Sequence, residues 1–378
     1  MTGGPSTSTR SLARPQAARR EALRARVREA GLDGLLVTDL VNVRYLTGFT
    51  GSNGALLLAA TDDGDEGSRF GTDGRYTTQA AAEVPDLPPL IERSTALALA
   101  SRAPALGIRR LGFESDAVTV DVHAALAAAA EGVTLVRAPG LVAQLRVIKD
   151  DVEVEALRRA CTLADTALTD LIDAGGVRAG RTEREIALDL EFRMRALGAD
   201  GPSFDSIVAA GPNSAIPHHS PTDAALRPGD LLKLDFGALV GGYHSDMTRT
   251  LVLGRAADWQ RELYDLVLGA QVAGCAAVEA GVPAAEVDAA SREPITAAGR
   301  GPEFLHGLGH GVGLQIHEAP ALSAASKDVL EPGMVITVEP GVYLARRGGV
   351  RIEDTLVVPG SGPAQSLTGF TRDLVEIV

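Results

Sequence analysis

Two kinds of segment alternate along the chain: short apolar runs, and longer stretches in which apolar residues recur every three or four positions. In the first part, the short runs at 34–38, 55–60, 109–113 and 133–136 read as strands. Residues 16–30 have helical spacing and stop at Gly31, and 120–130 is a second helical stretch. Strands mixed with helices at this spacing predict an α/β domain over residues 18–142. Residues 1–17 are mostly Gly, Ser, Thr, Pro, Arg and Ala, and are expected to be disordered.

The pattern changes near Arg146. Residues 149–174 read as a long amphipathic helix. Thr182 opens another, with Glu185 three residues on in a capping-box pattern, and it runs to about Leu197. Strand signals follow at 207–210, 231–239 and 246–253, helices at 258–280 and 284–298, then strands at 334–339 and 350–357. There is no solenoid repeat. The whole predicts an α+β domain over residues 143–378, which holds six of the seven histidines.

Composition narrows the function classes. The formal net charge of −13 disfavours a nucleic-acid binder, which needs a basic face against phosphates. No apolar run approaches the ~18 residues that span a bilayer, and no secretory leader is visible behind Met1. Two well-separated cysteines, Cys161 and Cys275, fit neither a disulfide scaffold nor a CxxC metal knuckle. A cytoplasmic protein engaging neither membrane nor nucleic acid is expected.

Four segments carry candidate chemistry. Asp235 and Asp246 lie in strand-like runs joined through Val240-Gly241-Gly242, a natural hairpin turn. A two-residue loop there sets the carboxylates opposite or diagonal to each other, on one face and within ~5–8 Å. Two ionised carboxylates that close call for a cation or a shared proton, unless they are solvated on an edge strand. Flanking Leu232, Leu234 and Phe236 argue for burial. The second segment, His306-Gly307-Leu308-Gly309-His310-Gly311-Val312-Gly313 and on to His317-Glu318-Ala319-Pro320, is too glycine-rich for a helix. It suits close approach of backbone to a ligand or metal. Glu339 ends a β-forming run before Pro340-Gly341, as a polar strand end or as a ligand. In Val350-Arg351-Ile352-Glu353, alternation puts Arg351 and Glu353 on one face, where they could form a simple ion pair. Together, Asp235, Asp246, Glu339 and Glu353 with His310 make a set too hard and acidic for structural zinc. It suits two divalent ions of Mn²⁺ or Co²⁺ type, bridged by carboxylates and by a water made nucleophilic near neutral pH.

These segments, in this order, resemble the pita-bread metallopeptidases: aminopeptidase P, prolidase, methionine aminopeptidase and creatinase. The Asp-x10-Asp pair, HGxGHxxGxxxHExP, and GxxxTxEPG followed by RIED carry the resemblance. Arg44-Tyr45-Leu46-Thr47-Gly48-Phe49-Thr50-Gly51-Ser52 and Thr72-Asp73-Gly74-Arg75-Tyr76 are similar to the amino-terminal domain of the prolidase and aminopeptidase P branch. The resemblance implies a creatinase/prolidase-type α/β domain before a pita-bread catalytic domain. It also implies metal ligands at Asp235, Asp246, His310, Glu339 and Glu353, with two divalent ions, Mn²⁺ before Co²⁺ or Zn²⁺. Catalytic histidines are implied at His218 and His317, a proton-shuttling role at Glu339, and a positioning role at Arg351. His218 is preferred to His219 because it follows Pro217 and precedes Asp235 by 17 residues.

The implied reaction is cleavage of an N-terminal Xaa-Pro bond by a metal-bridging hydroxide, and the implied assembly a homodimer. Many short prolidases carry an Arg directly after HExP, suited to a dipeptide's carboxylate. Here that place is Ala321, which favours an aminopeptidase over a dipeptidase, with Arg346 or Arg347 as substitute anchors. A non-enzymatic pita-bread binder is the remote alternative, set against the intact ligand set.

Overall fold

The computed structural model describes residues 15–87 and 89–378. Most of the segment expected to be disordered lies outside them. From Pro15 the chain is already helical, so the last three positions of that expectation are corrected. The chain divides into two compact units, Met1–Arg146 and Val147–Val378. The break falls after the short helix Ala143–Arg146 rather than at 142. Arg146 is buried in the first unit and donates to Asn42 Oδ1 at 2.8 Å, which ties that helix to it.

The first unit is a six-stranded mixed sheet in the order Pro89–Ile91, Arg69–Thr72, Gly54–Ala59, Gly34–Val37, Arg110–Phe113, Thr134–Arg137. The four predicted strands are present, and Pro89–Ile91 and Arg69–Thr72 extend the sheet beyond them. The helix Pro15–Glu29 buries Leu23 and Val27, but also Arg20 and Arg24. Arg20 pairs with Asp65 at 2.6 Å and Asp86 at 2.5 Å, and Arg24 with Asp65. Paired and hydrogen-bonded in this way, the two guanidiniums are tolerated in the interior.

The second unit sets helices outside strands. Helix Asp151–Asp173 buries Leu157, Ala160, Cys161, Ala164, Ala167, Leu168 and Leu171, the spacing of one helical face. Its capping box at Asp150 and Glu153, and that of Glu183–Ala196 at Thr182 and Glu185, are both formed. These two helices pack on Leu232, Leu234, Phe236, Met247, Leu251 and Leu253. Helices Asp258–Ala276 and Ala284–Ala297 pack on Ile336, Val338, Val350, Ile352 and Leu356. Alternate residues of the same strands, Lys233, Asp235, Thr248, Thr250, Thr337 and Arg351, are therefore turned away from the helices, yet all are buried. This polar inner face is where the chemistry collects. Among the described residues no helix is long and apolar enough to cross a membrane.

Two predicted strands are each broken in two. The run 231–239 forms Leu231–Phe236 in a four-stranded sheet and Ala238–Val240 in a three-stranded one. The register is continuous through the break: Val240 faces Tyr243, Phe236 faces Met247 and Asp235 faces Thr248. Asp246 is thus diagonal to Asp235, one of the two expected arrangements. The run 350–357 likewise divides into Gly348–Arg351 and Asp354–Val357, which pair with Gly341–Leu344 and Val335–Val338. Ile352 and Glu353 sit in the bend between them.

Gly237 permits the first break, because a Cβ there would lie 1.8 Å from the Ser245 carbonyl oxygen. G237A is expected to lower stability by about 1–3 kcal/mol or more through overpacking, read as a fall in Tm by calorimetry. A variant as stable as the parent would show that the two segments are free to separate there.

Candidate active site

Each predicted ligand comes from a different structural device. Asp235 stands near the end of Leu231–Phe236, and Asp246 immediately before Met247–Leu253. His310 is the central residue of the strand Gly309–Gly311. Gly309 allows that strand to run against its neighbour, since a Cβ there would fall 2.0 Å from the Thr337 carbonyl oxygen. Glu339 directly follows Val335–Val338, and Glu353 occupies the bend after Gly348–Arg351.

These side chains meet. Donor atoms of Asp246, His310 and Glu353 lie within 4.8 Å of one another. His310 Nε2 is 3.6 Å from Asp246 Oδ2 and 3.5 Å from Glu339 Oε1. Asp235 joins through Arg351, whose guanidinium bonds its carboxylate and reaches to 4.0 Å from Glu339 Oε2. Arg351 also donates to Thr248 Oγ1 at 3.0 Å, and Thr248 in turn donates to Glu353 Oε2 at 2.6 Å. The Arg351–Glu353 ion pair that alternation suggested is therefore relayed by a hydroxyl. All five predicted ligands line one cavity of about 480 Å³, together with Arg351, His218 and His317.

The chemistry of this donor set fits divalent metal. Asp235 Oδ1 and Glu353 Oε1 are buried with no hydrogen-bond partner, a costly condition that a cation relieves. His310 Nδ1 lies 3.0 Å from the carbonyl oxygen of Gly311, which can only accept. The ring proton is thereby fixed on Nδ1, and the Nε2 lone pair is left towards the carboxylates. Donors on one small divalent ion sit at about 2.0–2.2 Å from it and so about 3–4 Å from each other, the range of the two His310 contacts.

Without a cation the electrostatics are unfavourable. Burial, followed by the neighbouring carboxylates, drives Asp246 and Glu353 well above the usual carboxylate range. Glu339 is raised to about 7, mainly by burial, with Arg351 opposing. Burial pushes the His310 imidazole down to about 4, leaving it neutral and able to ligate.

The histidines divide by their partners. His218 and His219 both border the cavity, but His219 is buried, with Nε2 2.8 Å from Glu183 Oε2, whereas His218 is exposed. His317 packs its ring 4.4 Å from that of His310. Two neighbours escaped the sequence reading as site residues, Tyr343 and His306. Tyr343 Oη accepts from Arg351 at 2.8 Å and lies 2.8 Å from His306 Nε2. His306 was visible in the glycine-rich segment, but nothing local marks Tyr343, which reaches Arg351 only through the pairing of Gly341–Leu344 with Gly348–Arg351. The suggested substitute anchors Arg346 and Arg347 are not in the cavity wall, and Arg347 stacks on Trp259 at 4.2 Å.

Comparison with known proteins accords with this geometry. The profile of Metallopeptidase family M24 matches residues 155–359, more than half of the chain. The chain belongs to metallopeptidase family M24. The Creatinase/Prolidase N-terminal domain matches residues 19–148. A solved Xaa-Pro dipeptidase from Bacillus anthracis is 39% identical with a TM-score of 0.90, covering 96% of this chain and 99% of that one. An X-Pro aminopeptidase from Thermotoga maritima is 32% identical with a TM-score of 0.86, covering 93% and 100%. An Xaa-Pro dipeptidase of Pyrococcus horikoshii is 35% identical over 344 residues, 91% of this chain and 95% of that protein. The M24 chain is thus a hydrolase of the pita-bread Xaa-Pro peptidase family, with an α/β creatinase-type domain ahead of the pita-bread domain. Family membership carries divalent-metal use.

The raised Glu339 has a consequence for the metal-free protein. Folded, this carboxyl keeps its proton to about pH 7; unfolded, only to the ordinary 4.5. Unfolding therefore releases a proton between these values, and the contribution of Glu339 to stability falls as pH rises through that window. Metal-free E339Q lacks this loss. Its stability relative to the parent is expected to grow from pH 5 to pH 8, by up to about 3 kcal/mol, followed by denaturant melts. A difference that stays flat with pH would place Glu339 outside the carboxylate cluster.

Proposed function

We propose that this chain is a dinuclear-metal exopeptidase that hydrolyses the N-terminal Xaa-Pro bond, using Mn²⁺ in preference to Co²⁺ or Zn²⁺. The observation that carries the reading is the convergence of Asp235, Asp246, His310, Glu339 and Glu353 in one cavity beside His218 and His317. Two bound ions would supply Lewis-acid polarisation of the scissile carbonyl and a water acidic enough to deprotonate near neutral pH. The chain's own residues do the rest. Glu339, which lines the cavity beside His310, is suited to take a proton from water and return it to the leaving proline nitrogen. His218 and His317 face the cavity, where their N–H groups can hold the carbonyl oxygen as it gains charge. Arg351 fixes Asp235 and offsets part of the carboxylate charge. Proline at the second position lacks the amide N–H and extended backbone that ordinary proteases require, so recognition through the free amino end suits such substrates.

Substrate length follows from Ala321. In the antiparallel ladder Ala321 is directly opposite His310, so a side chain there shares the face of the His310 ring. An Arg in that place would set a guanidinium beside the metal ligands, ready for a dipeptide's carboxylate. Ala321 supplies no such charge, which supports an aminopeptidase acting on peptides longer than two residues. The second reading, a dipeptidase, is supported by the name of the Bacillus anthracis relative.

With Mn²⁺, kcat/KM for an Xaa-Pro-Yaa tripeptide should exceed that for the Xaa-Pro dipeptide by roughly tenfold or more, and A321R should narrow or reverse the ratio, about 1–3 kcal/mol for one charge-assisted contact. Faster dipeptide turnover by the parent would establish the dipeptidase instead. D246A and E353A should each remove metal-dependent turnover, by about 10³-fold or more; an active variant would refute the ligand assignment.

A further inference from the structure

The strand that carries Asp235 also carries Lys233, whose side chain has no exposed surface. An amine placed wholly inside a protein is expensive unless every proton finds an acceptor. The hydrogen bonds of Lys233 go to consecutive main-chain oxygens: Nζ donates to Ile216 O at 2.6 Å and to Pro217 O at 3.1 Å. The ring of Tyr343 lies beneath it, 5.2 Å from Nζ to the centroid. The residue that follows those two carbonyls is His218.

Other ties hold the same segment from further away. Glu183, fully buried, accepts from Ala210 N at 2.8 Å and Asn213 Nδ2 at 2.9 Å on one side of His218. On the other side it accepts from Thr222 N at 2.9 Å, and lies 2.8 Å from His219 Nε2. Gly349 N donates to Ser214 Oγ at 2.9 Å, and Arg351 reaches Pro217 O at 3.3 Å. His218 itself is exposed in the cavity wall, so its place is set by the backbone around it. Arg351 also holds Asp235, and a variant there would disturb a metal ligand. Lys233 is the side chain whose two hydrogen bonds both go to the His218 segment.

We propose that Lys233 is the positioning residue for His218, fixing that imidazole in the cavity through the carbonyl oxygens of Ile216 and Pro217. The proposal rests on the reading of His218 as catalytic. Misplacing a reacting group by about 1 Å costs up to about a hundredfold in rate. A residue acting only through another adds nothing once that other is gone.

The test is a double-mutant cycle on the Mn²⁺-loaded enzyme with an Xaa-Pro-Yaa tripeptide. K233M is expected to lower kcat by about ten- to a hundredfold with KM within about threefold, while calorimetric titration with Mn²⁺ gives the parent's stoichiometry and affinity. K233Q, whose amide can still donate, should recover part of the loss. In the H218A background K233M should cause no further loss. Full activity of K233M, or the same fold loss with and without His218, would overturn the positioning role. Full activity of H218A would instead remove the catalytic reading of that histidine. If K233M does not fold, as judged by its melt, K233Q takes its place in the cycle, with a smaller loss of kcat expected in the parent and again none in the H218A background.

Discussion

Carboxylates from four separate chain segments, Asp235, Asp246, Glu339 and Glu353, share one buried basin, and like charges so placed in a poorly solvated interior oppose folding. Much of the second unit makes sense as a means of tolerating that basin. Arg351 bonds Asp235, approaches Glu339 and reaches Glu353 through Thr248. Two carboxylate oxygens remain without a donor, and the His310 lone pair points at the same place. The site is thus assembled short of positive charge, which suits it to bind divalent ions.

Close packing of strands makes this possible. The inner faces of the strands that carry the site present polar residues that are nevertheless buried, because these strands meet: Thr248 bonds Glu353, Thr250 the Arg351 carbonyl and Thr355 the Asp246 carbonyl. Ligands stand where strands end or turn: before Met247, after Val338, and between Arg351 and Asp354. Strand ends free a side chain from the ladder while its backbone stays anchored, so the carboxylates are aimed without being flexible. Glycine at 237 and 309 lets neighbouring backbones approach to the distances that bring these ends together.

Around the predicted ligands lies a layer of residues that hold their neighbours in place. Tyr343 links Arg351 to His306, Glu183 gathers the ends of the 210–222 segment, and Lys233 holds its middle. Such buried polar groups are tolerated only when satisfied, and their satisfaction makes the positions of His218 and Arg351 definite. The same layer tells His218 from His219: both border the cavity, but His219 is engaged by Glu183.

The sequence by itself determined most of the elements and the five residues predicted as ligands. Helical periodicity marked 149–174 and 182–197, and alternation marked LLKLDF, with Lys233 and Asp235 on one face and Leu232, Leu234 and Phe236 on the other. A two-residue turn near Val240 put Asp235 and Asp246 on one face, because hairpin register follows from loop length, and the pairing of Val240 with Tyr243 made them diagonal. Local patterns of this kind depend on neighbours in the chain, so they are legible there. Tertiary structure alone decided that the runs 231–239 and 350–357 break, since the cause is a backbone met from another segment. It also decided the parts played by Tyr343, Thr248, Glu183 and Lys233, whose partners lie between 8 and 105 positions away and which carry no local mark. A hydrogen bond across such separations is specified by packing, and packing is a property of the folded chain.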